Sequence, residues 1–163
     1  MTLETRTEIA ELRAQVATFE KAEVERQAGS IKPIDEELQQ GSDRVALSVL
    51  GRERSSGPWT WTGQVSFTWD QLLSLIGPNM VEAVAETAMR ERVETAALSQ
   101  ANGMVHSRMH DVTLTDEAWG TVILQLRALG LIVSVSEYLK PGWKLTPTGD
   151  AYVIRQLALR RKD

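Results

Sequence analysis

Residues 113–159 read TLTDEAWGTVILQLRALGLIVSVSEYLKPGWKLTPTGDAYVIRQLAL, and the hydrophobic period changes twice within them. Thr115 precedes Asp116 and Glu117, an N-cap followed by the negative charge that a helix N-terminus favours. Trp119, Val122, Ile123, Leu126 and Leu129 recur at three- and four-residue spacing, which predicts a helix with one apolar stripe. Gly130 follows the last of them, where a residue just past a helix end adopts positive φ. Leu131–Val135 is short and β-branched and predicts a strand. Lys140-Pro141-Gly142 predicts a turn, and Trp143–Thr146 the returning strand. Pro147 ends that strand. Thr148 is placed to cap a closing helix bearing Tyr152, Ile154, Leu157 and Leu159.

Helix, hairpin and closing helix in this order, carried by L-x-x-LGLI and W-x-LTPTG, resemble winged-helix domains in general. In such domains the core helix can enter the DNA major groove and read bases with its polar face. That face here offers Gly120, Thr121, Gln125 and Arg127, and the hairpin adds Lys140 and Lys144. These cations are few, and Asp116-Glu117 would approach phosphate with the wrong sign. The expected fold class is α+β: an N-terminal amphipathic helix, an antiparallel β-hairpin packed on helices, and a C-terminal winged helix.

Upstream, residues 1–28 predict a helix. Ile9, Leu12, Val16 and Phe19 follow a 3-4-3 rhythm, the seam of a short coiled coil. The next seam positions are Glu23 and Arg26, so the apolar rhythm lasts about two heptads. Residues 29–43 contain Gly29, Ser30 and Pro33 and predict a linker. The remainder, 44–163, predicts one α+β domain, with a hairpin over 44–68, helices over 69–110 and the winged helix over 111–163. In the hairpin, Val45, Leu47 and Val49 share one face of the first strand. Trp59, Trp61, Val65 and Phe67 alternate with polar residues in the second. Gly63 interrupts that alternation and marks a bulge or a close approach. Thr68 and Gln71 have capping-box spacing. A short helix ends at Gly77-Pro78-Asn79, and a longer one runs from about Asn79 to Gln100. Its stripe is Val81, Val84, Ala85 and Ala88, resuming at Val93, and Arg90-Glu91-Arg92 are solvated. Asn102-Gly103 stops it, Met104–His110 forms a second short helix, and Asp111–Leu114 a short strand.

The chain has 163 residues, a net charge of −4 and no cysteine. No disulfide, thiolate metal site or cysteine nucleophile is therefore available. Residues 1–40 carry five positive and nine negative charges, while 111–163 come to +1. An acidic chain with only local basic clusters is a poor general partner for nucleic acid, whose phosphates dominate affinity. No N-terminal apolar segment reads as a signal peptide, and no apolar run approaches the roughly 20 residues of a membrane helix. A cytoplasmic location without membrane attachment is expected.

The chemistry-bearing residues do not assemble into a motif. His106 and His110 stand four apart, but no glutamate lies between them as in HExxH, and a third metal ligand is lacking. Ser107 and Asp111 lie nearby without a G-x-S-x-G elbow. Neither G-x-x-x-x-G-K-[ST] nor G-x-G-x-x-G occurs. The expectation is a non-enzyme with no metal and no cofactor.

TWDQLLSLIGPNMVEAV together with VILQLRALGLI…WKLTPTGDAYV resembles the C-terminal region of a family of bacterial proteins. Their longer members open with a Toll/interleukin-receptor-like, nucleotide-processing domain followed by a coiled-coil segment. The resemblance covers roughly residues 35–160. It implies a regulatory or assembly module in bacterial stress or phage-defence signalling. No such N-terminal domain is present in this sequence, so no catalytic residue carries over. The leading expectation is a protein-interaction and oligomerisation module, most simply a homodimer, with a further protein partner. The alternative is a DNA-binding regulator using Gln125, Arg127, Lys140 and Lys144.

Overall fold

The computed structural model describes residues 3–28, 33–105, 108–137 and 140–158, with backbone alone for 20–28, 136, 137, 140 and 141. The chain divides into two bodies, residues 1–32 and 33–163. The first consists of the helix α1, Leu3–Ala28. The second is α+β and runs β1 (Arg44–Arg52), β2 (Trp61–Thr68), α2 (Trp69–Ile76), β3 (Val84–Ala85), α3 (Glu86–Met104), β4 (Asp111–Leu114), α4 (Asp116–Ala128), β5 (Ile132–Glu137), β6 (Lys140–Leu145) and α5 (Pro147–Leu157).

Two antiparallel three-stranded sheets share the core, in the orders β2-β1-β4 and β3-β6-β5. Val45 lies opposite Phe67 and Leu47 opposite Val65, so the alternating apolar residues of both strands meet on one face. α3 covers that sheet with Met89, Val93, Ala97 and Ala101, all buried at four-residue spacing. Gln100 of α3 clamps the edge strand, accepting from the Ser66 N–H at 3.1 Å and donating to the Ser66 carbonyl at 2.8 Å. Asp111–Leu114 forms the expected strand but pairs with β1, not with the C-terminal hairpin. The first hairpin and the C-terminal unit are thus stitched into one core.

Both helix starts with clear cap chemistry form as expected. Thr68 accepts from the Gln71 N–H at 3.1 Å while the Gln71 side chain accepts from Thr68 N–H, the full capping box of α2. Thr115 accepts from Ala118 N–H and opens α4. Trp119, Val122, Ile123, Leu126 and Leu129 are all buried. Gly130 ends the helix with φ +72°.

Other expectations are corrected. The long helix begins at Glu86, not near Asn79: Gly77–Asn79 is a single 3-10 turn, and Val84–Ala85 is extended. Val84 pairs with Trp143 and Ala85 with Gly142, so ladder bonds to β6 hold the backbone that local spacing assigned to a helix. Val81 is accordingly exposed. Asn102-Gly103 does not stop α3, because Asn102 stays helical while its side chain accepts from the Met109 N–H at 2.7 Å. The expected helix at 104–110 is absent: Met104 ends α3, Val105 is extended, 108–110 are not helical, and 106 and 107 lie outside the described residues. Glu91 and Arg92 are exposed as expected, but Arg90 is half-buried. It bonds to the Leu114 carbonyl and sits 3.1 Å from Asp116 and 3.7 Å from Glu94.

The C-terminal hairpin is also tighter than expected. Lys140-Pro141-Gly142 belongs to β6, with Glu137 opposite Lys140 and Pro141 opposite Ser136; residues 138 and 139 between them lie outside the described residues. Proline is tolerated because β3 ends short of it, so Pro141 has a strand on one flank only. Thr146, not Thr148, caps α5, accepting from Gly149 N–H at 3.0 Å with Pro147 in the first turn. A Cβ on Gly149 would lie 2.0 Å from the Leu131 carbonyl oxygen, so only glycine lets α5 start there. Of the apolar residues expected on α5, Ile154 and Leu157 are exposed and Leu159 lies outside the described residues; Val153 is the buried one. In β2 the strand starts at Trp61, Gly63 is overlain by the Trp61 ring, and Trp59 stands outside the strand.

Candidate functional site

The two surfaces singled out by the sequence behave differently. On α1, Ile9 is half-buried, while Leu12, Val16 and Phe19 are 60%, 56% and 69% exposed. Three large apolar side chains on one helix are thus exposed.

The face of α4 is already in use. Gln125 is half-buried, and its amide donates to the Gln39 carbonyl at 2.8 Å. The Gln39 side chain in turn accepts from the Trp69 indole N–H at 3.4 Å. Residues 33–43, expected to be linker, are therefore part of the second body. Ile34 and Leu38 pack against its core. Trp69 N–H donates to the Asp43 carbonyl and Asp70 N–H to that of Gly41, so this strap occupies donors at the start of α2. Sequence reasoning missed it because its apolar residues, Ile34 and Leu38, are few and sit in an acidic run without periodicity.

Arg127 is exposed, with its guanidinium 5.6 Å from the centre of the Trp143 ring. Trp143 is buried beneath it, in the β6 strand. Lys144 is exposed beside its cross-strand neighbour Val133. Lys140 pairs through its backbone, and its side chain lies outside the described residues. The structure thus brings Arg127 near the hairpin, but engages Gln125 elsewhere. The exposed part of α4 is Asp116, Glu117, Gly120, Thr121, Leu124, Arg127 and Ala128, with Leu124 at 66% exposure. One cation on a face of small, apolar and acidic residues is weak equipment for a phosphate backbone.

The remaining polar clusters serve the fold. Arg52 donates to both oxygens of Asp111, at 2.6 and 2.8 Å, and lies 4.3 Å over the Trp59 ring. That hydrogen-bonded guanidinium holds the Asp111 carboxyl below the usual carboxylate range. Tyr152 donates to Asp70 at 2.6 Å, joining α5 to α2, and burial followed by that bond pushes its phenol up to about 12. Glu94 accepts from Leu114 N–H and Glu86 from the Trp119 indole N–H, keying α3 to β4 and to α4. A groove of about 590 Å³ between α2 and α3 is lined by Asp70, Gln71, Ser74, Leu75, Ser99 and Gln100 among others, and Asp70, Gln71, Ser74 and Gln100 are already bonded within the fold. His110 is exposed and not helical, and His106 and Ser107 lie outside the described residues. No group of three potential metal ligands occurs among the described residues. No helix among them is long and apolar enough to cross a membrane. No family model, curated protein or solved structure matches the chain.

Proposed function

We propose that this chain is a non-catalytic protein-interaction and oligomerisation module built on a winged helix. The observation that carries it is the exposed Leu12, Val16 and Phe19 face of α1. The winged-helix reading is supported by the order α2, β3, α3, β4, α4, β5, β6, with β3 on the outer flank of the β5–β6 hairpin and β4 in the other sheet. A protein partner, rather than DNA, suits α4, whose exposed face joins Leu124, Gly120 and Ala128 to Glu117. A cytoplasmic, regulatory role in bacterial stress or phage-defence signalling follows from the family resemblance of residues 35–160.

Solution mass tests this directly. The intact chain is expected to self-associate, and removal of residues 1–28 to leave a monomer. An unchanged oligomer after the deletion would place the seam elsewhere. A duplex titration at two salt concentrations tests the DNA-binding alternative, which would rest on Arg127, Lys140 and Lys144. With about four phosphates neutralised per chain, log affinity would fall against log salt with a slope near −3.6. The expected result is no duplex retention at physiological ionic strength. Selective retention of one sequence, abolished by Arg127→Ala, would replace the module with a regulator.

A further inference from the structure

Two charges flanking the α1 seam, Glu8 and Arg13, are unmatched within their own helix. Three and four positions from Arg13 stand Ile9, Ala10, Val16 and Ala17, none of them acidic. Glu8 has Glu4 four residues before it and Glu11 three after, spacings at which like charges repel. Both Glu8 and Arg13 are exposed. A partner offering an acid to Arg13 and a base to Glu8 would resolve both, and a second copy of this helix offers that pair.

The 3-4-3 rhythm assigns heptad positions without ambiguity. Ile9 and Val16 fall at a, Leu12 and Phe19 at d, Glu8 at g and Arg13 at e. β-Branched residues at a with leucine at d favour two parallel strands. In a parallel pair, a g residue faces the e residue five positions on in the other chain, so Glu8 meets Arg13 of the second copy, and symmetry repeats the contact. The antiparallel arrangement layers Ile9 on Phe19 and Leu12 on Val16; it sets Arg13 against its own counterpart and Arg6 against Glu20, so the choice between the two falls to the seam residues. Ile9 and Val16 at a with Leu12 at d therefore favour the parallel pair, and the Glu8–Arg13 contact is compatible with it.

We infer that α1 pairs with α1 of a second copy as a parallel two-stranded coiled coil. Its seam is Ile9, Leu12, Val16 and Phe19, with Glu8 of each chain against Arg13 of the other. This rests on the oligomerisation reading above and adds its orientation and register. The apolar seam ends at Phe19, since Glu23 and Arg26 follow in the rhythm. Two heptads make a marginal coil, so the dimer dissociates on dilution. Both chains leave such a pair at the same end.

The absence of native cysteine makes the test clean. In the full chain under mild oxidation, Leu12→Cys is expected to give a disulfide-linked dimer. Ile9→Cys and Phe19→Cys mixed in equal amounts should each link only to themselves, because in a parallel pair the two positions lie about 15 Å apart along the axis. A charge series gives a second readout that does not depend on cysteine. Glu8→Arg or Arg13→Glu alone should weaken association about five-fold, and the two combined should restore it. Linkage between positions 9 and 19, with the dimeric mass retained, would overturn the parallel arrangement and leave oligomerisation standing. A full chain that stays monomeric at the highest concentration reached would overturn both.

Discussion

α1 and α4 both carry apolar residues at three- and four-residue spacing, yet only those of α4 are buried. On α4 the stripe from Trp119 to Leu129 is buried against β1, β5 and neighbouring helices, and Trp119 is 4% exposed. On α1, Leu12, Val16 and Phe19 remain more than half exposed. An apolar stripe therefore announces a contact but not whether the contact is internal. Similar spacing builds a core on α4 and leaves apolar side chains exposed on α1.

Paired truncations would sharpen that contrast. Trp119→Ala should cost about 3–5 kcal/mol in denaturant unfolding, since it opens a cavity and orphans the bond to Glu86. Leu12→Ala, measured at concentrations where the chain is monomeric, should stay within about 0.5 kcal/mol of the parent, as for an exposed position. Comparable losses at both sites would mean that α1 packs internally after all.

Gly149→Ala comes next. The added methyl would collide with the Leu131 carbonyl, and overpacking of this kind costs about 1–3 kcal/mol. Gly120→Ala on the exposed face of α4, where a Cβ meets nothing within 4 Å, should be neutral or slightly stabilising. Thermal melts of the two variants side by side suffice, and equal melting temperatures would contradict the packing described for α5.

The smallest effect concerns pH. Tyr152 is held as the neutral phenol, its folded value about 12 against 10 for an ordinary tyrosine. Its contribution is complete below pH 10 and is lost as pH rises through 12, because the unfolded chain gives up that proton first. Tyr152→Phe should remove this part of the alkaline decline in stability. Since the ring is only half-buried, the change is modest, and an unaltered alkaline profile would mean that the link to Asp70 does not persist in solution.

Legibility followed the range of the forces involved. The capping box at Thr68–Gln71, the cap at Thr115, the stripe of α4 and positive φ at Gly130 depend on residues within a few positions of each other, and each formed as the spacing implied. So did the β1–β2 register, because alternation specifies which side chains share a face. The candidate DNA-contact residues were legible as polar positions only. That Gln125 would be occupied by Gln39, 86 residues away in sequence, had no local signal.

What the sequence alone determined, then, was the α+β class and most helix and strand centres, both consequences of period and cap chemistry. Tertiary structure alone decided the rest. It made Val84–Ala85 a strand, drew β4 into the first sheet, folded residues 33–43 onto the second body and chose Thr146 over Thr148 as the cap of α5. In the two pairings, backbone groups found their partners across long sequence separation. Such ladder bonds outweigh a local preference of a few tenths of a kcal/mol per residue. Position along the chain cannot encode them, because they exist only once the two sheets are assembled.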